Sequence, residues 1–344
     1  MLILLHGIVL IVDQVMELRK TKVMAKTKLL ICGASGFIGR NIAQYFAGKN
    51  EYEVIGTYLK TKPPSIRNVV MKKVDLTSKT EVDKLVKGVD ILIQAAATTS
   101  GSKEILAKPY YHVTDNAVMN SLIYRAAFEH KVSRVIFFSC AIMYGSGKSA
   151  VKEEDFDANK EIYPSYFGAA WTKVYIEKIC EFYSRIGRTK YTVIRHSNIY
   201  GPYDKYDLER SHVLGATITK VMRAAKNSEI VVWGNGKEAR DILYVSDLVS
   251  FVDKVIKKQK TSFEIFNVGN GSVTTIKELV EKIIKGSGKS IRIVYDLTKP
   301  HINTSVCLNI NKAKKEIGWK PEVSLEQGLK KTICWYKQNI RAQT

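Results

Sequence analysis

Lys28-Leu-Leu-Ile-Cys-Gly-Ala-Ser-Gly-Phe-Ile-Gly39 is the stretch on which the fold turns. Its first part, residues 28–32, is a short apolar run of the kind that forms a parallel strand buried on both faces. Its second part is a turn punctuated by glycine. Residues 37–48 then carry Phe37, Ile38, Ile42, Tyr45 and Phe46 at helical spacing. Strand, tight turn and helix in that order predict a phosphate cradle. Gly33 permits the turn, Gly36 lets the backbone approach a pyrophosphate, and Gly39 lets helix and strand pack closely, with Ser35, Phe37 and Ile38 in the same loop. The helix N-terminus offers free N–H groups and the positive end of its dipole. Glycine spacing alone is a weak signal; the strand–turn–helix context makes dinucleotide binding the reading here.

Outward from this unit, apolar runs at 52–58, 89–95, 132–139 and 191–194 read as strands, and 115–129 and 171–186 as helices. The alternation predicts right-handed crossovers and an α/β, doubly wound parallel sheet of Rossmann type. Beyond about residue 200 the pattern is less regular, with helices expected near 211–226, 246–259, 274–285 and 323–340. The expected division is a dinucleotide-binding domain over 28–200 and a smaller, mainly substrate-binding region over 201–344, of which about 230–267 returns to the first domain. Residues 1–27 are expected to lie outside the fold. Residues 2–12 are apolar, but the charges of Arg19, Lys20, Lys22 and Lys26 follow that run, the reverse of a secretory signal.

The 344 residues are 45% hydrophobic and 25% charged, which excludes a disordered or fibrous chain. No run approaches the roughly 18 apolar residues of a membrane-spanning helix, so no membrane partner is expected. Fifty-four Lys+Arg against 33 Asp+Glu give a net charge of +21. That sign suits a polyanion or an anionic small molecule. The basic residues are spread along the chain without clustered arginines and aromatics, so no nucleic-acid partner is expected either. The five cysteines have no C-x-x-C spacing, which argues against a zinc site or disulfide framework and for a cytoplasmic location.

The end of the second strand discriminates between cofactors. An acid there bonds the ribose 2′-hydroxyl of NAD, whereas basic residues accommodate the 2′-phosphate of NADP. Gly56-Thr-Tyr-Leu-Lys60-Thr-Lys62 contains no acid. NADP is therefore expected, with Lys60 on the 2′-phosphate, Lys62 and Arg67 as further candidates, and NAD as the alternative.

Further motifs are Asp75-Leu76, Ala95-Ala96-Ala97, Asn116, Asn198-Ile-Tyr-Gly-Pro202, Arg240-Asp-Ile-Leu-Tyr-Val-Ser-Asp247, Asn267-Val-Gly269 and Gly318-Trp-Lys-Pro321. With the glycine motif they resemble the extended short-chain dehydrogenases/reductases that act on nucleotide sugars, over essentially all of 28–340. Residues 198–213 and 232–240 are similar to the GDP-L-fucose synthases in particular. The resemblance implies an NAD(P)-dependent oxidoreductase or epimerase working by hydride transfer at C4 of a nucleotide-diphosphate sugar. The substrate is of GDP-sugar type or, alternatively, the enzyme is a UDP- or dTDP-sugar 4-epimerase; a homodimer is implied as well. It implies that Asp75 contacts the adenine, with Leu76 and Asn116 on the cofactor side and Ala95, Ala96 and Ala97 along it. His196, Asn198, Ile199 and His212 would line the cleft, and Lys220, Trp233 and Arg240 would hold the nucleotide sugar. The chemistry suits: Arg240 can clamp a diphosphate bidentately, Lys220 adds a point charge, and Trp233 offers a flat face. His212 titrates near neutrality and fits either an acid–base or a structural role.

The chain also departs from that family. Its members pair a Tyr proton donor with a Lys four residues later. Lys173 matches the Lys, but Ala169 stands where the Tyr belongs. The nearest tyrosine, Tyr166, is seven residues back, which on a continuous helix is about 10 Å along the axis. Pro164 and Gly168 allow the helix to start after Tyr166. Two readings stay open: Tyr166 is the proton donor, or the protein binds cofactor and has lost the chemistry. Tyr144 and Lys148 have the right spacing but lie in a Gly-Ser-Gly loop. The family's strand-end Ser or Thr falls on Cys140, with Ser139 one residue earlier as the other candidate. The cysteine that assists C3/C5 epimerisation in GDP-L-fucose synthases falls on Ile142, which cannot move a proton. Cys140-Ala-Ile-Met lacks the acid of sugar 4,6-dehydratases. The catalytic candidates are thus Lys173, Tyr166, Cys140, Ser139 and His212, with no metal ligand expected.

Overall fold

The structure, a computed structural model, describes residues 25–60, 63, 65–99, 108–147, 149–208, 211–299 and 305–340. Most of the expected 1–27 extension lies outside the described residues, as do Lys62 and Lys148.

The first half of the chain runs β1 (Thr27–Cys32), α1 (Phe37–Ala47), β2 (Tyr52–Tyr58), β3 (Val69–Lys73), α2 (Lys79–Val86), β4 (Ile91–Gln94), α3 (Thr114–Glu129), β5 (Arg134–Cys140), α4 (Phe167–Ile186) and β6 (Lys190–His196). The second half runs β7 (Asn198–Tyr200), α5 (Val213–Arg223), β8 (Ser228–Trp233), β9 (Ala239–Tyr244), α6 (Val245–Lys258), β10 (Phe263–Val268), β11 (Val273–Thr275), α7 (Ile276–Ser287), β12 (Ile291–Asp296) and α8 (Leu325–Asn339).

Seven strands form a parallel sheet in the order β10-β6-β5-β4-β1-β2-β3. Leu29 and Ile31 of β1 join one core layer, with Ile42 and Phe46 of α1. Leu30 and Cys32 join the opposite layer, with Ile123 and Tyr124 of α3. This division is the period-two alternation of a strand covered on both faces. A one-residue slip would exchange the two layers, so the register is strongly specified.

From β1 the chain builds outward to β2 and β3, then returns to place β4 on the other side of β1. Such a reversal opens a crevice at the C-terminal strand ends. Cys32 of β1 pairs with Gln94 of β4, so the loops starting at Gly33 and Ala95 leave the sheet at one level.

The second half contains strands that the periodicity did not reveal. β12 pairs with β8, and β9 lies between β7 and β11 in a separate three-stranded sheet. These strands are short, and their partners are distant in sequence. β10 returns to the edge of the large sheet beside β6. A third core, with Ile218, Leu279 and Ile283, gathers α5 and α7. Capping boxes start α7 (Thr275 with Glu278) and α8 (Ser324 with Gln327). Among the described residues, no helix is long and apolar enough to cross a membrane, and no group of three or more His, Cys, Asp or Glu side chains could hold a metal ion.

Candidate active site

A cleft of about 1470 Å³ runs along the C-terminal strand ends into the second half of the chain. A pocket for one small ligand is typically roughly 300–1,000 Å³, so this cleft exceeds what a single small ligand needs.

The glycine cradle forms one end. Gly33 has φ +79°, and a Cβ there would stand 2.6 Å from the Ala96 Cα. A Cβ on Gly39 would stand 2.3 Å from the Gly33 oxygen. Both positions therefore require glycine. Gly39 packs α1 onto the turn from behind, while Gly33, Ser35, Gly36, Phe37 and Ile38 border the cleft. Thr57 Oγ1 accepts from the Gly33 N–H at 2.9 Å and ties the turn to β2. Gly36 caps α1 without a side-chain hydrogen bond, leaving first-turn N–H groups for a ligand. This bare, close-packed turn fits the pyrophosphate of a dinucleotide.

Asp75, Leu76, Ala95, Ala96 and Ala97 border the same end. Asp75 accepts from the N–H and hydroxyl of Thr77 at 2.9 and 2.7 Å, which holds its carboxyl below the usual range. Asn116 also borders the cleft, but its amide is engaged by the Thr98 N–H and by the carbonyls of Thr98 and His112. It braces the segment after β4. Lys60 departs from expectation. Thr57, Tyr58 and Leu59 border the cleft, whereas Lys60 is exposed in the bend beyond β2 and is not part of the cleft wall. Arg67 is exposed too.

The strand-end candidates separate at β5. Both border the cleft, but the Ser139 hydroxyl donates to Glu177 Oε1 at 2.6 Å. Glu177 is clamped in turn by Arg195, whose Nη2 lies 2.7 Å from Oε2. Arg195 Nη1 donates to the Tyr144 hydroxyl, which donates to Asn267. Ser139 therefore belongs to a buried network joining β5, α4, β6 and β10, and Cys140 is the strand-end group left for the cleft.

Lys173 lies one helical turn before Glu177. Its Nζ donates to the Phe138 carbonyl at 2.8 Å and lies 4.7 Å from the Phe137 ring centroid. Burial lowers its pKa, while the negative forms of Cys140 and Glu177 oppose that shift. Tyr166 closes the 3₁₀ turn Pro164–Tyr166 and is the N-cap of α4, with φ −101° and ψ −4°. Its ring borders the cleft, with Arg240, Cys140 and Tyr163 as electrostatic neighbours. Burial pushes the phenol up and Arg240 pulls it back. Cys140 is the neighbour that Tyr166 and Lys173 share. Ala169 borders the cleft as well, presenting a methyl group where the family has a phenol.

His196 pairs in register with Cys140. Its Nδ1 lies 2.7 Å from the Ser197 carbonyl, and burial pushes it down to about 4, so it is neutral at physiological pH. Asn198 Nδ2 donates to the Asp241 carbonyl at 3.1 Å, and Ile199 adds apolar wall. His212 is the N-cap of α5; burial, Lys205 and His112 all lower its pKa.

At the far end, Arg240, Lys220 and Trp233 converge from β9, α5 and β8. Lys220 Nζ donates to the Val231 carbonyl at 2.8 Å and lies 5.7 Å from the Trp233 ring centroid. Trp233 is 39% exposed and is thus a wall of the cleft, not core. Sequence reasoning missed the Glu177–Arg195 pair and four acids of the cleft wall, Asp115, Glu161, Asp204 and Glu238. Burial pushes Asp204 up to about 7. The spacing of Lys173 and Glu177 along one helix face was available as a signal. Glu238 becomes legible only once β9 is known to be a strand.

Fold, cradle and lysine-bearing helix together define an NAD(P)-dependent α/β enzyme. Residues 29–269 match the NAD dependent epimerase/dehydratase family, and the chain belongs to that family. It is 30% identical over 317 residues to GDP-L-colitose synthase of Yersinia pseudotuberculosis, covering 91% of this chain and 98% of that protein. It is 26% identical over 328 residues to GDP-L-fucose synthase of Escherichia coli, covering 92% and 98%. The solved UDP-glucose 4-epimerase of Thermotoga maritima, with UDP-glucose, matches with a TM-score of 0.81 at 23% identity, over 92% of this chain and 100% of that one. The UDP-glucose 4-epimerase of Thermus thermophilus, in complex with NAD, matches at 0.78 and 19%, over 91% and 100%. At these identities the solved structures show the fold.

Proposed function

We propose that the protein is an NAD(P)-dependent oxidoreductase or epimerase acting at C4 of a nucleotide-diphosphate sugar of GDP type. One observation carries this reading. A single cleft joins the glycine cradle to Arg240, Lys220 and Trp233, with Lys173, Cys140 and Tyr166 at the junction. The names of the GDP-L-colitose and GDP-L-fucose synthases support the choice of GDP.

When bound, the nicotinamide supplies the hydride donor or acceptor. The chain supplies the rest. Tyr166 gives or takes the proton at the sugar C4 oxygen. Lys173, anchored on the Phe138 carbonyl, orients the nicotinamide ribose. Cys140 holds the same sugar oxygen in place of the family's Ser or Thr, although a thiol is a weak donor. Arg240 and Lys220 balance the diphosphate charge. Ile142 borders the cleft but carries no proton, so the reading excludes double epimerisation through that position.

NADP is favoured over NAD because no acid follows Thr57-Tyr58-Leu59; Lys60, outside the cleft wall, must swing inward to meet the 2′-phosphate. The division at about residue 200 is supported by the separate third core, and the return of the chain by α6 and β10; Ile230, Val232, Ile242 and Tyr244, at the start of the 230–267 segment, belong to the third core instead. A homodimer is supported by Val118 of α3 and Tyr175, Phe182 and Ile186 of α4, apolar side chains left exposed on neighbouring helices. Five free cysteines suit the cytoplasm.

The test is a panel of 4-keto and 4-hydroxy GDP- and UDP-sugars with NADPH and NADP⁺, followed by nicotinamide absorbance. Ala169 favours a second reading, a cofactor-binding protein without turnover. That reading requires NADPH binding and no reaction with any sugar in the panel.

A further inference from the structure

We infer that Glu177 positions the ammonium of Lys173: pinned from its far side, its carboxylate is the fixed anion against which α4 holds that charge for the cofactor. The inference rests on the role proposed above for Lys173 and deepens it.

The end of β5 divides three tasks among three consecutive residues. The Phe138 carbonyl accepts from Lys173 Nζ at 2.8 Å, the Ser139 hydroxyl donates to Glu177 Oε1 at 2.6 Å, and Cys140 borders the cleft. Lys173 and Glu177 stand four residues apart on α4, so their Cβ atoms are neighbours at roughly 5–6 Å. Lys173 borders the cleft and Glu177 does not. One turn before the lysine, Ala169 offers only a methyl group, so the polar partner on this helix face comes from after the lysine.

A Lys and a Glu at this spacing ordinarily close into a direct ion pair. Here Nζ goes to Phe138 instead, because both carboxylate oxygens of Glu177 are taken. Glu177 is 3% exposed; Ser139 and Arg195 Nε meet Oε1, and Arg195 Nε and Nη2 meet Oε2 at 3.3 and 2.7 Å. Arg195 is itself fixed by the Tyr144 hydroxyl and the Glu153 carbonyl at 2.8 and 3.0 Å. The carboxylate therefore cannot turn to draw Nζ away from the cleft. It acts through space, while Nζ uses one of its three N–H groups on Phe138 and keeps the others for a ribose diol.

The lysine charge depends on that anion. Burial disfavours the ammonium, and among the described residues these groups face it: Cys140 and the Phe137 ring from β5, Glu177 from α4 and His196 from β6, with Arg195 behind Glu177. Burial pushes the Cys140 thiol up and leaves the His196 imidazole neutral at physiological pH. Glu177 is thus the full negative charge in that set. Without it the ammonium faces dipoles and the Arg195 cation.

The experiment is competitive labelling of the full-length protein with trace acetic anhydride across pH. Mass spectrometry of the peptide carrying Lys173 then titrates the lysine without requiring turnover. Glu177→Gln is expected to lower the Lys173 midpoint by about one pH unit or more, the effect of losing an opposite charge at this range. Glu177→Asp keeps the charge, and Ser139→Ala weakens the network but keeps the charge, so both are expected to stay within about 0.5 unit of wild type. Glu177→Gln/Arg195→Met removes both buried charges, leaves no unpaired guanidinium, and is expected to lower the midpoint as Glu177→Gln does. An unmoved midpoint in Glu177→Gln or in the double variant, or an equal fall in Ser139→Ala, is what a merely structural role gives and overturns the inference. Labelling of wild-type Lys173 that saturating NADPH does not slow overturns the assignment of Lys173 to the cofactor instead.

Discussion

The Ser139 hydroxyl donates to Glu177 at 2.6 Å, and that bond decides which residue at the end of β5 is available for chemistry. Glu177 needs the donor because it is buried against Arg195. Ser139→Ala therefore leaves a buried carboxylate with one donor fewer. It should lower stability by about 1–3 kcal/mol, read from urea unfolding, with little change in NADPH affinity. Cys140→Ala should lower kcat while leaving stability nearly intact, and Cys140→Ser, a better donor, should keep or raise it. Equal kinetic damage from Ser139→Ala and Cys140→Ala would contradict the division between them.

Tyr166 reaches the cleft as the N-cap of α4, from outside the helix that carries Lys173. Tyr166→Phe should cost at least about a hundredfold in kcat with NADPH binding retained, and Lys173→Ala should abolish turnover. Because Ala169 borders the same space, Ala169→Tyr placed in the Tyr166→Phe protein should recover activity. Unchanged turnover in Tyr166→Phe removes Tyr166 as the proton donor.

Arg240 lies beside Tyr166 but is assigned to the diphosphate. Arg240→Ala should raise KM for the nucleotide sugar about tenfold or more while kcat changes little, the pattern of lost uniform binding. A fall in kcat at constant KM would assign it to the transition state instead.

His196 makes stability depend on pH. Burial pushes it from 6.5 down to about 4, so between those values the unfolded chain binds a proton that the folded chain does not. Its contribution is therefore complete above pH 6.5 and is lost as pH falls toward 4. Asp204, pushed up to about 7, acts with the opposite sign, losing stability as pH rises through the same range. The comparison must be between wild type and His196→Asn, whose unfolding midpoints should converge on acidification. A constant gap between them would contradict the assignment.

Phe182 and Tyr175 stand exposed on one face of α4. Phe182→Glu should shift a dimer toward monomer in sedimentation velocity without changing the fold by circular dichroism. A wild-type protein that sediments as a monomer at all concentrations would remove the dimer.

Local chemistry made the nucleotide-binding half legible. The run at 28–32 and the glycine turn are contiguous, and a two-sided buried strand followed by a close turn admits few other structures. By the same logic β1, β2, β4, β5 and β6 and the helices α1, α3 and α4 fall within a few residues of expectation, whereas β3 and α2 have no counterpart among the expected elements. Gly33 and Gly39 follow from the turn itself, because no side chain fits against the Ala96 backbone or the Gly33 carbonyl. What the tertiary structure decided lies wherever partners are distant in the chain. β8 acquires its identity from β12, and β9 from β7 and β11. The choice of Cys140 over Ser139 depends on Glu177 and Arg195 arriving from another helix and strand. Lys60 has the right charge for its expected role, but the bend beyond β2 leaves it outside the cleft wall. Sequence spacing specifies which residues share a strand or a helix face; only packing between elements brings Tyr166, Cys140 and Arg240 to one place.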